Sequence, residues 1–276
     1  MPPLFDAHNH YQDARLDAVR DTALSEARAL GLEEAVVNGS AEDDWADVAR
    51  LGRAHAWLRP SFGLHPWYVK ERTPAWLEAL EKWLVEFPEA PVGEIGLDRW
   101  IENPDLPAQE FCFRAQLELA NRLRRAATIH CLRAWGMLEG VLRGVRVPER
   151  GFLLHSYGGP VEMIPGFVKL GAYFSLSPYF GHERKAAQLA TFRAVPADRL
   201  LAETDAPDMW PPDELNAHPL SVEGKTANHP CNITVSYELL ARVRQTSVEE
   251  LKAQVAENHR RLFGPPRAAG QAPAAS

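Results

Sequence analysis

Leu4-Phe5-Asp6-Ala7-His8-Asn9-His10 is a short apolar run that ends in His-x-His. Side chains alternate along a strand, so residues two apart share a face. His8 and His10 are therefore expected to project together from one strand end, and two imidazoles fixed side by side are half of a metal site. The fold then turns on whether further strands follow and end in matching ligands.

Strand-like and helix-like segments alternate along the chain. Strands are expected at Leu4–His8, Glu34–Asn38, Pro60–Leu64, Pro91–Leu97, Ala127–His130, Gly151–His155, Ala172–Leu176 and Arg199–Glu203. Helical spacing of apolar residues fills the intervals: Asp13–Leu30, Asp43–Trp57, Thr73–Phe87, Pro107–Arg125, Ala134–Gly144, Val161–Leu170 and His182–Ala194. Tyr237–Gln245 and Val248–Leu262 form closing helices. Thr73 suits an N-cap and Pro74 the first turn after it. Strand–helix repetition of this kind predicts parallel βαβ units, and at 276 residues a single (β/α)8 barrel of the α/β class is the natural closure. An open doubly wound sheet is the alternative, but no glycine-rich dinucleotide turn is present. One domain is expected over residues 1–264, and the tail 265–276, rich in Pro, Ala and Gly, is expected to be disordered.

A formal net charge of -7 argues against a broad basic surface for coating nucleic acid. It leaves a nuclease open, since bound divalent cations supply positive charge locally. The three cysteines, Cys112, Cys131 and Cys231, are too few and irregular for a disulfide framework, so a reducing cytoplasm is the expected location. Met1-Pro2-Pro3 does not begin a signal peptide, and no apolar run of about 18 residues suggests a membrane span. No obligate protein partner is indicated.

The expected strands end alike. His8 and His10 close the first, Glu94 lies in the fourth, His130 ends the fifth, His155 the sixth, and Asp205 follows the eighth. The carboxyl ends of all barrel strands meet on one face, where active sites lie. Taken singly, a strand-end histidine is more simply a structural hydrogen-bonding residue. Six such residues on one face would need several coincidences. Four histidines and two carboxylates suffice for two divalent cations if one carboxylate bridges, and Glu94, between the histidine groups, is the natural bridge. Asp205 can ligate and take a proton from water. His-rich sites with carboxylates accept magnesium, zinc, manganese or iron, so the metal is left open.

Other residues are less determinate. His65, before Pro66, is either a substrate contact or a turn histidine. Glu203 is expected to orient a metal ligand. Arg133 is read as a grip for an anionic group, with a surface ion pair as the alternative. Trp67, Trp100 and Trp135 each follow a strand end; packing over the rim is the simpler expectation, stacking on nucleobases the other. His55, His182 and His259 are read as ordinary helix residues. The long segment 206–233, with Trp210, His218, Asn228 and His229, is a candidate substrate loop.

From Asp6 to Phe263 the sequence resembles the TatD family of metal-dependent hydrolases, within the amidohydrolase-like barrels. The matching segments are Asp6-Ala7-His8-Asn9-His10, Gly63-Leu64-His65-Pro66, Gly93-Glu94-Ile95-Gly96-Leu97-Asp98, Ile129-His130 with Arg133-Ala134, Leu154-His155-Ser156, Glu203-Thr204-Asp205-Ala206-Pro207, and Asn258 with Arg261-Leu262-Phe263. The resemblance implies that His8, His10 and Asp205 bind one metal, that His130 and His155 bind the other, and that Glu94 bridges. It also implies phosphodiester hydrolysis, commonly as a 3′→5′ exonuclease on DNA. Ser156-Tyr157-Gly158-Gly159, Ser175-Leu176-Ser177-Pro178 and the loop after Asp205 depart from the family pattern. Those departures leave the metal chemistry intact and bear on the substrate. Two rival readings stand beside the nuclease: hydrolysis of a lactone, ester or aminoacyl ester on the same site, and a non-catalytic binding barrel. The second would be favoured by a lost ligand, and none is missing.

Overall fold

Eight parallel strands carry the apolar runs: β1 (Leu4–Asn9), β2 (Leu32–Asn38), β3 (Leu58–Ser61), β4 (Val92–Asp98), β5 (Ala127–Leu132), β6 (Phe152–Leu154), β7 (Ala172–Leu176) and β8 (Leu200–Ala202). They belong to a computed structural model that describes residues 2–267. Hydrogen-bonded neighbours follow chain order, β1-β2-β3 and β4-β5-β6-β7-β8. A parallel bridge between Phe62 and Val92 joins the two groups. The ring closes where β8 meets β1: the Asp205 amide donates to His8 O at 2.9 Å and the His10 amide to Ala206 O at 2.8 Å. The eight-stranded α/β barrel expected from the alternation is thus borne out.

Helices α1 (Arg20–Ala29), α2 (Trp45–Ala54), α3 (Trp76–Glu86), α4 (Leu106–Arg122), α5 (Trp135–Gly144), α6 (Ile164–Lys169), α7 (Ala186–Thr191), α8 (Ile233–Arg244) and α9 (Val248–Phe263) are the other repeating element. Each of the longer ones buries one stripe against the strands, as Val48, Ala49 and Leu51 of α2 do. Asp105 caps α4 through the Ala108 amide at 3.1 Å. Ser247 and Glu250 form a reciprocal capping box on α9. Asn258 of α9 donates from Nδ2 to Ala197 O and Leu200 O, each at 2.8 Å, which seats that helix under β8.

The helix expected from Asp13 begins only at Arg20. The buried Arg20 guanidinium takes the carbonyls of Tyr11, Gln12 and Asp13 at 2.6–3.1 Å, which holds them as a loop. The α8 helix starts at Ile233 rather than Tyr237, because a 3₁₀ turn over Pro230–Asn232, capped by the His229 ring, leads straight into it. The long loop before it holds a small antiparallel hairpin, β9 (Leu220–Val222) and β10 (Lys225–Ala227). Its turn residues Glu223 and Gly224 both have positive φ, as the tightest hairpins require.

At the opposite end of the barrel, the buried Arg59 guanidinium holds Glu34 in two bonds of 2.8 and 3.1 Å and donates to Pro265 O at 2.7 Å. Arg267 donates to the carbonyls of Gly52 and Leu58. The first residues of the expected tail therefore lie against the barrel floor, and 268–276 fall outside the described residues.

Candidate metal centre

Strand alternation puts His8 and His10 on one side of the β1 terminus, and Glu94 projects from β4 towards them. The Glu94 Oε2 atom lies 3.3 Å from His8 Nε2 and 3.2 Å from His10 Nε2. Both nitrogens are 3.5 Å from Asp205 Oδ1, beyond β8. The other oxygen, Oε1, lies 3.0 Å from His130 Nδ1 and 2.9 Å from His155 Nε2. One carboxylate thus turns each oxygen to a separate pair of imidazoles, and all six residues named from the strand ends come together. His65, after β3, joins them with Nε2 at 3.3 Å from Oε1.

Neighbouring groups decide which ring nitrogens have a free lone pair. His10 Nδ1 sits 2.8 Å from Asn38 O, a pure acceptor, so Nδ1 carries the proton and Nε2 can ligate. His130 Nε2 sits 2.9 Å from Asp98 Oδ2, which puts the proton there and frees Nδ1. His65 is the reverse. Its Nδ1 accepts the Trp67 amide at 3.2 Å, so its proton is on Nε2, aimed at Glu94. In this tautomer His65 presents an N–H to Glu94, with its Nε2 also within reach of an ion held by Glu94 and His130. Nitrogen and oxygen donors mixed in this way suit zinc, manganese or iron, with magnesium accepted through the carboxylates.

Protons hold the cluster together electrostatically. Burial works against the charge on Glu94, but the imidazoles of His65, His155, His8 and His10 keep it ionised, well below the usual carboxylate range. Burial also opposes charge on His10, yet Glu94 and Asp205 push it up to about 9. His130 and His155 are raised in the same way against burial, by Asp98 with Glu94 and by Glu94 with Glu203 respectively. Burial lowers His8 and His65 to about 4, so both are neutral. Burial raises Asp205 to about 7. Cations replace such protons when imidazoles ligate.

The residues around the cluster explain its motifs. Buried Asp6 accepts the Thr204 amide at 3.0 Å, the Thr204 hydroxyl at 2.6 Å and the Tyr11 hydroxyl at 2.8 Å, which staples β8 to β1 beside the histidines. Glu203 does not ligate with the six. It accepts the hydroxyls of Ser156 and Ser175 and lies 3.6 Å from His155 Nδ1. The Ser177 hydroxyl in turn donates to Ser156 Oγ at 3.0 Å, so the serines that depart from the family pattern serve to seat Glu203. Glycine at position 96, with φ +148°, is required because a Cβ would stand 2.0 Å from His130 O. A Cβ at Gly93 would stand 1.7 Å from Thr128 Oγ1. The Gly-Glu-Ile-Gly motif is thus the clearance that brings Glu94 between β3 and β5.

Arg133 lies just past β5, exposed and with φ 57°, and makes no polar contact with the cluster among the described residues. His218 and His229 stack at 5.7 Å in the long loop, and His229 Nε2 reaches Glu26 of α1 at 3.3 Å, which ties that loop to α1. His259 is buried in α9 against Phe5 and Phe263. Sequence reasoning gave no role to Asp98, Asp6 or Asn38. Asp98 had a readable signal, since alternation along β4 puts it on the side of Glu94.

A parallel barrel with imidazoles and carboxylates gathered at the carboxyl ends of its strands defines a metal-dependent hydrolase of the amidohydrolase-like type. The chain belongs to the TatD related DNase family, whose model matches residues 5–264. It is 31% identical over 247 residues to the 3′-5′ ssDNA/RNA exonuclease TatD of Edwardsiella piscicida, covering 87% of this chain and 91% of that protein. It is 26% identical over 263 residues to the uncharacterized metal-dependent hydrolase YjjV of Escherichia coli K12, covering 95% and 98%. The crystal structure of that YjjV superimposes with a TM-score of 0.86 at 25% identity, again over 95% and 98% of the two chains. The resemblance read from the motifs, the fold and the hydrolase class are all borne out.

Proposed function

We propose that this chain is a two-cation phosphodiesterase that removes nucleotides from the 3′ end of single-stranded DNA. The observation that carries the reading is the split of Glu94, with Oε2 on His8 and His10 and Oε1 on His130 and His155. His8, His10 and Asp205 would hold one divalent ion, His130 and His155 the other, with Glu94 shared. Such ions polarise a phosphoryl oxygen and lower the pKa of water. Asp205 takes the proton of the attacking water; among the described residues its side chain accepts no hydrogen bond from outside the cluster. His65 presents its Nε2 proton to the phosphate or the departing oxygen. Arg133, free of any ion pair among the described residues, grips the neighbouring phosphate. Glu203, seated by Ser156 and Ser175, would orient His155 by its charge beside Nδ1. The names borne by relatives, ssDNA/RNA exonucleases, support the substrate class. Among the described residues no helix is long and apolar enough to cross a membrane. A cytoplasmic location is proposed on the three cysteines, which are buried and unpaired.

The test is an end-labelled single-stranded oligonucleotide incubated with magnesium or manganese, with and without chelator, beside the Asp205→Asn variant. Stepwise loss from the 3′ end, abolished by chelator and by the variant, is expected. Intact DNA beside cleavage of a lactone, ester or aminoacyl ester would overturn the reading.

A further inference from the structure

Three exposed apolar side chains stand on consecutive loops of the catalytic face: Trp67 after β3, Trp100 after β4 and Leu132 at the end of β5, with 43%, 54% and 38% of their surfaces exposed. Exposed tryptophan on an acidic, soluble-type surface calls for an occupant. These two are not loose. Trp67 Nε1 donates to Asp98 Oδ2 at 2.7 Å, and the Trp100 amide donates to Asp98 Oδ1 at 2.6 Å. The same Oδ2 atom holds His130 at 2.9 Å. Both tryptophans therefore hang from the carboxylate that fixes a ligand of the metal centre. The Trp67 ring meets His65 edge-on at 5.1 Å and lies 6.3 Å from His130. Trp135, by contrast, is packed against Tyr157 and Phe167, the rim role expected of it.

Arg99 and Arg133, the chain neighbours of Trp100 and Leu132, are exposed, and neither is in an ion pair among the described residues. The Arg99 amide donates to Leu132 O at 2.9 Å, so the loops after β4 and β5 are joined. Exposed rings on loops that also carry unpaired arginines match one ligand chemistry: unpaired bases on a phosphate backbone.

We propose that Trp67 and Trp100 form a stacking platform for the terminal bases of a single-stranded nucleic acid, with Arg99 and Arg133 on the adjoining phosphates. The platform rests on the phosphodiesterase reading for its occupant and specifies what that site selects. Bases in a duplex already stack on their neighbours, so the platform discriminates for single strands. Every base has a π-face, so it is tolerant of sequence.

Binding is measured on chelator-treated full-length protein by fluorescence anisotropy, so that it reads independently of turnover. The ligands are a short oligothymidylate, the same strand with two abasic 3′-terminal residues, and a blunt duplex. Trp100→Ala removes an exposed ring whose side chain makes no hydrogen bond, and Trp67→Phe keeps a ring but removes its N–H from Asp98, which still holds His130 and the Trp100 amide; thermal unfolding checks that both fold. Trp100→Ala is expected to weaken binding about 5- to 150-fold. The abasic strand is expected to bind the wild type as weakly, and to lose nothing further with the variant. Equal binding of normal and abasic strands by the wild type, equal binding by wild type and Trp100→Ala, or no binding of single strands would each overturn the platform. Turnover separates the two readings. Trp-independent binding with 3′ cleavage removes only the platform, and Trp-dependent binding without cleavage removes only the phosphodiesterase.

Discussion

Replacing Asp98 by Asn tests whether the second cation position depends on a group that never touches it. Asp98 Oδ2 accepts from His130 Nε2 at 2.9 Å and from Trp67 Nε1 at 2.7 Å, and Oδ1 accepts the Trp100 amide at 2.6 Å. An asparagine must put its NH2 at one of these positions. At the Oδ1 position it meets the Trp100 N–H head-on. At the Oδ2 position it forces His130 to accept there, which moves the ring proton to Nδ1, the atom 3.0 Å from Glu94 Oε1. Either arrangement costs a charge-assisted hydrogen bond, and the second also removes the lone pair that would ligate. Loss of such an orienting partner lowers metal affinity by about 10- to 100-fold, or about 1.4–2.8 kcal/mol. Calorimetric titration with zinc or manganese at alkaline pH, where protons compete least, should show one of two sites weakened by that factor. The other, on His8, His10 and Asp205, should stay within about threefold, as expected of a site that shares only Glu94 with it. Equal weakening of both sites, or of neither, would refute the assignment of Asp98 to His130.

His65→Ala should lower kcat by about 100-fold or more while leaving the ions bound per chain unchanged, because its Nε2 carries a proton; loss of an ion by elemental analysis would make it a ligand instead. Gly96→Ala puts a Cβ 2.0 Å from His130 O, so urea unfolding should show a loss on the order of 3–5 kcal/mol, and a fully stable variant would contradict the packing of β4 on β5. Arg15 bridges Asp13 and Asp208 across the β1 and β8 loops at 2.7 Å. Burial raises Asp13, but Arg15 more than offsets it and the net pKa is lowered, so the bridge stabilises fully above the ordinary carboxylate range and is lost as pH falls on through the lowered pKa. Arg15→Ala should therefore cost about 0.5 kcal/mol at neutral pH and progressively less as pH falls below the ordinary carboxylate range, with the neutral-pH cost also vanishing in high salt; a cost independent of pH would show that the bridge is not ionic.

The barrel and the gathering of the six strand-end residues were legible because two simple periodicities carried them. Alternation of strand and helix fixed the architecture, and alternation within β1 put His8 beside His10. The misplaced boundaries have local causes that composition does not display. Arg20 sits at helical spacing with its neighbours, yet spends its guanidinium on the carbonyls of 11–13 and so delays α1. The β9–β10 hairpin is too short and too exposed to show a burial pattern. Asp98 and Asp6 escaped notice because a carboxylate that works through another residue has no spacing of its own. Its role is set by what arrives from elsewhere in the chain, here His130 and Thr204. The roles expected of Glu203 and Arg133 rested on position and side-chain chemistry alone, Glu203 beside Asp205 and the planar Arg133 guanidinium just past His130.

The position of Glu94 shows why the sequence around it could not vary freely. To serve two sets of imidazoles the carboxylate must stand between β3 and β5, and the backbone there has little clearance. A Cβ on Gly63 of the preceding segment would lie 2.7 Å from Glu94 O, one on Gly93 would strike Thr128, and one on Gly96 would strike His130 O. Thr128 is itself committed, since its hydroxyl donates to Asn38 Oδ1 at 2.7 Å while Asn38 O sets the His10 tautomer. Three absent side chains on neighbouring segments therefore do one job. They let β4 pass close enough for its carboxylate to reach both histidine pairs, and they tie that reach to the proton position on His10. The glycines are as much a part of the candidate metal centre as the histidines, because a Cβ at any of the three would collide with the segments that frame Glu94.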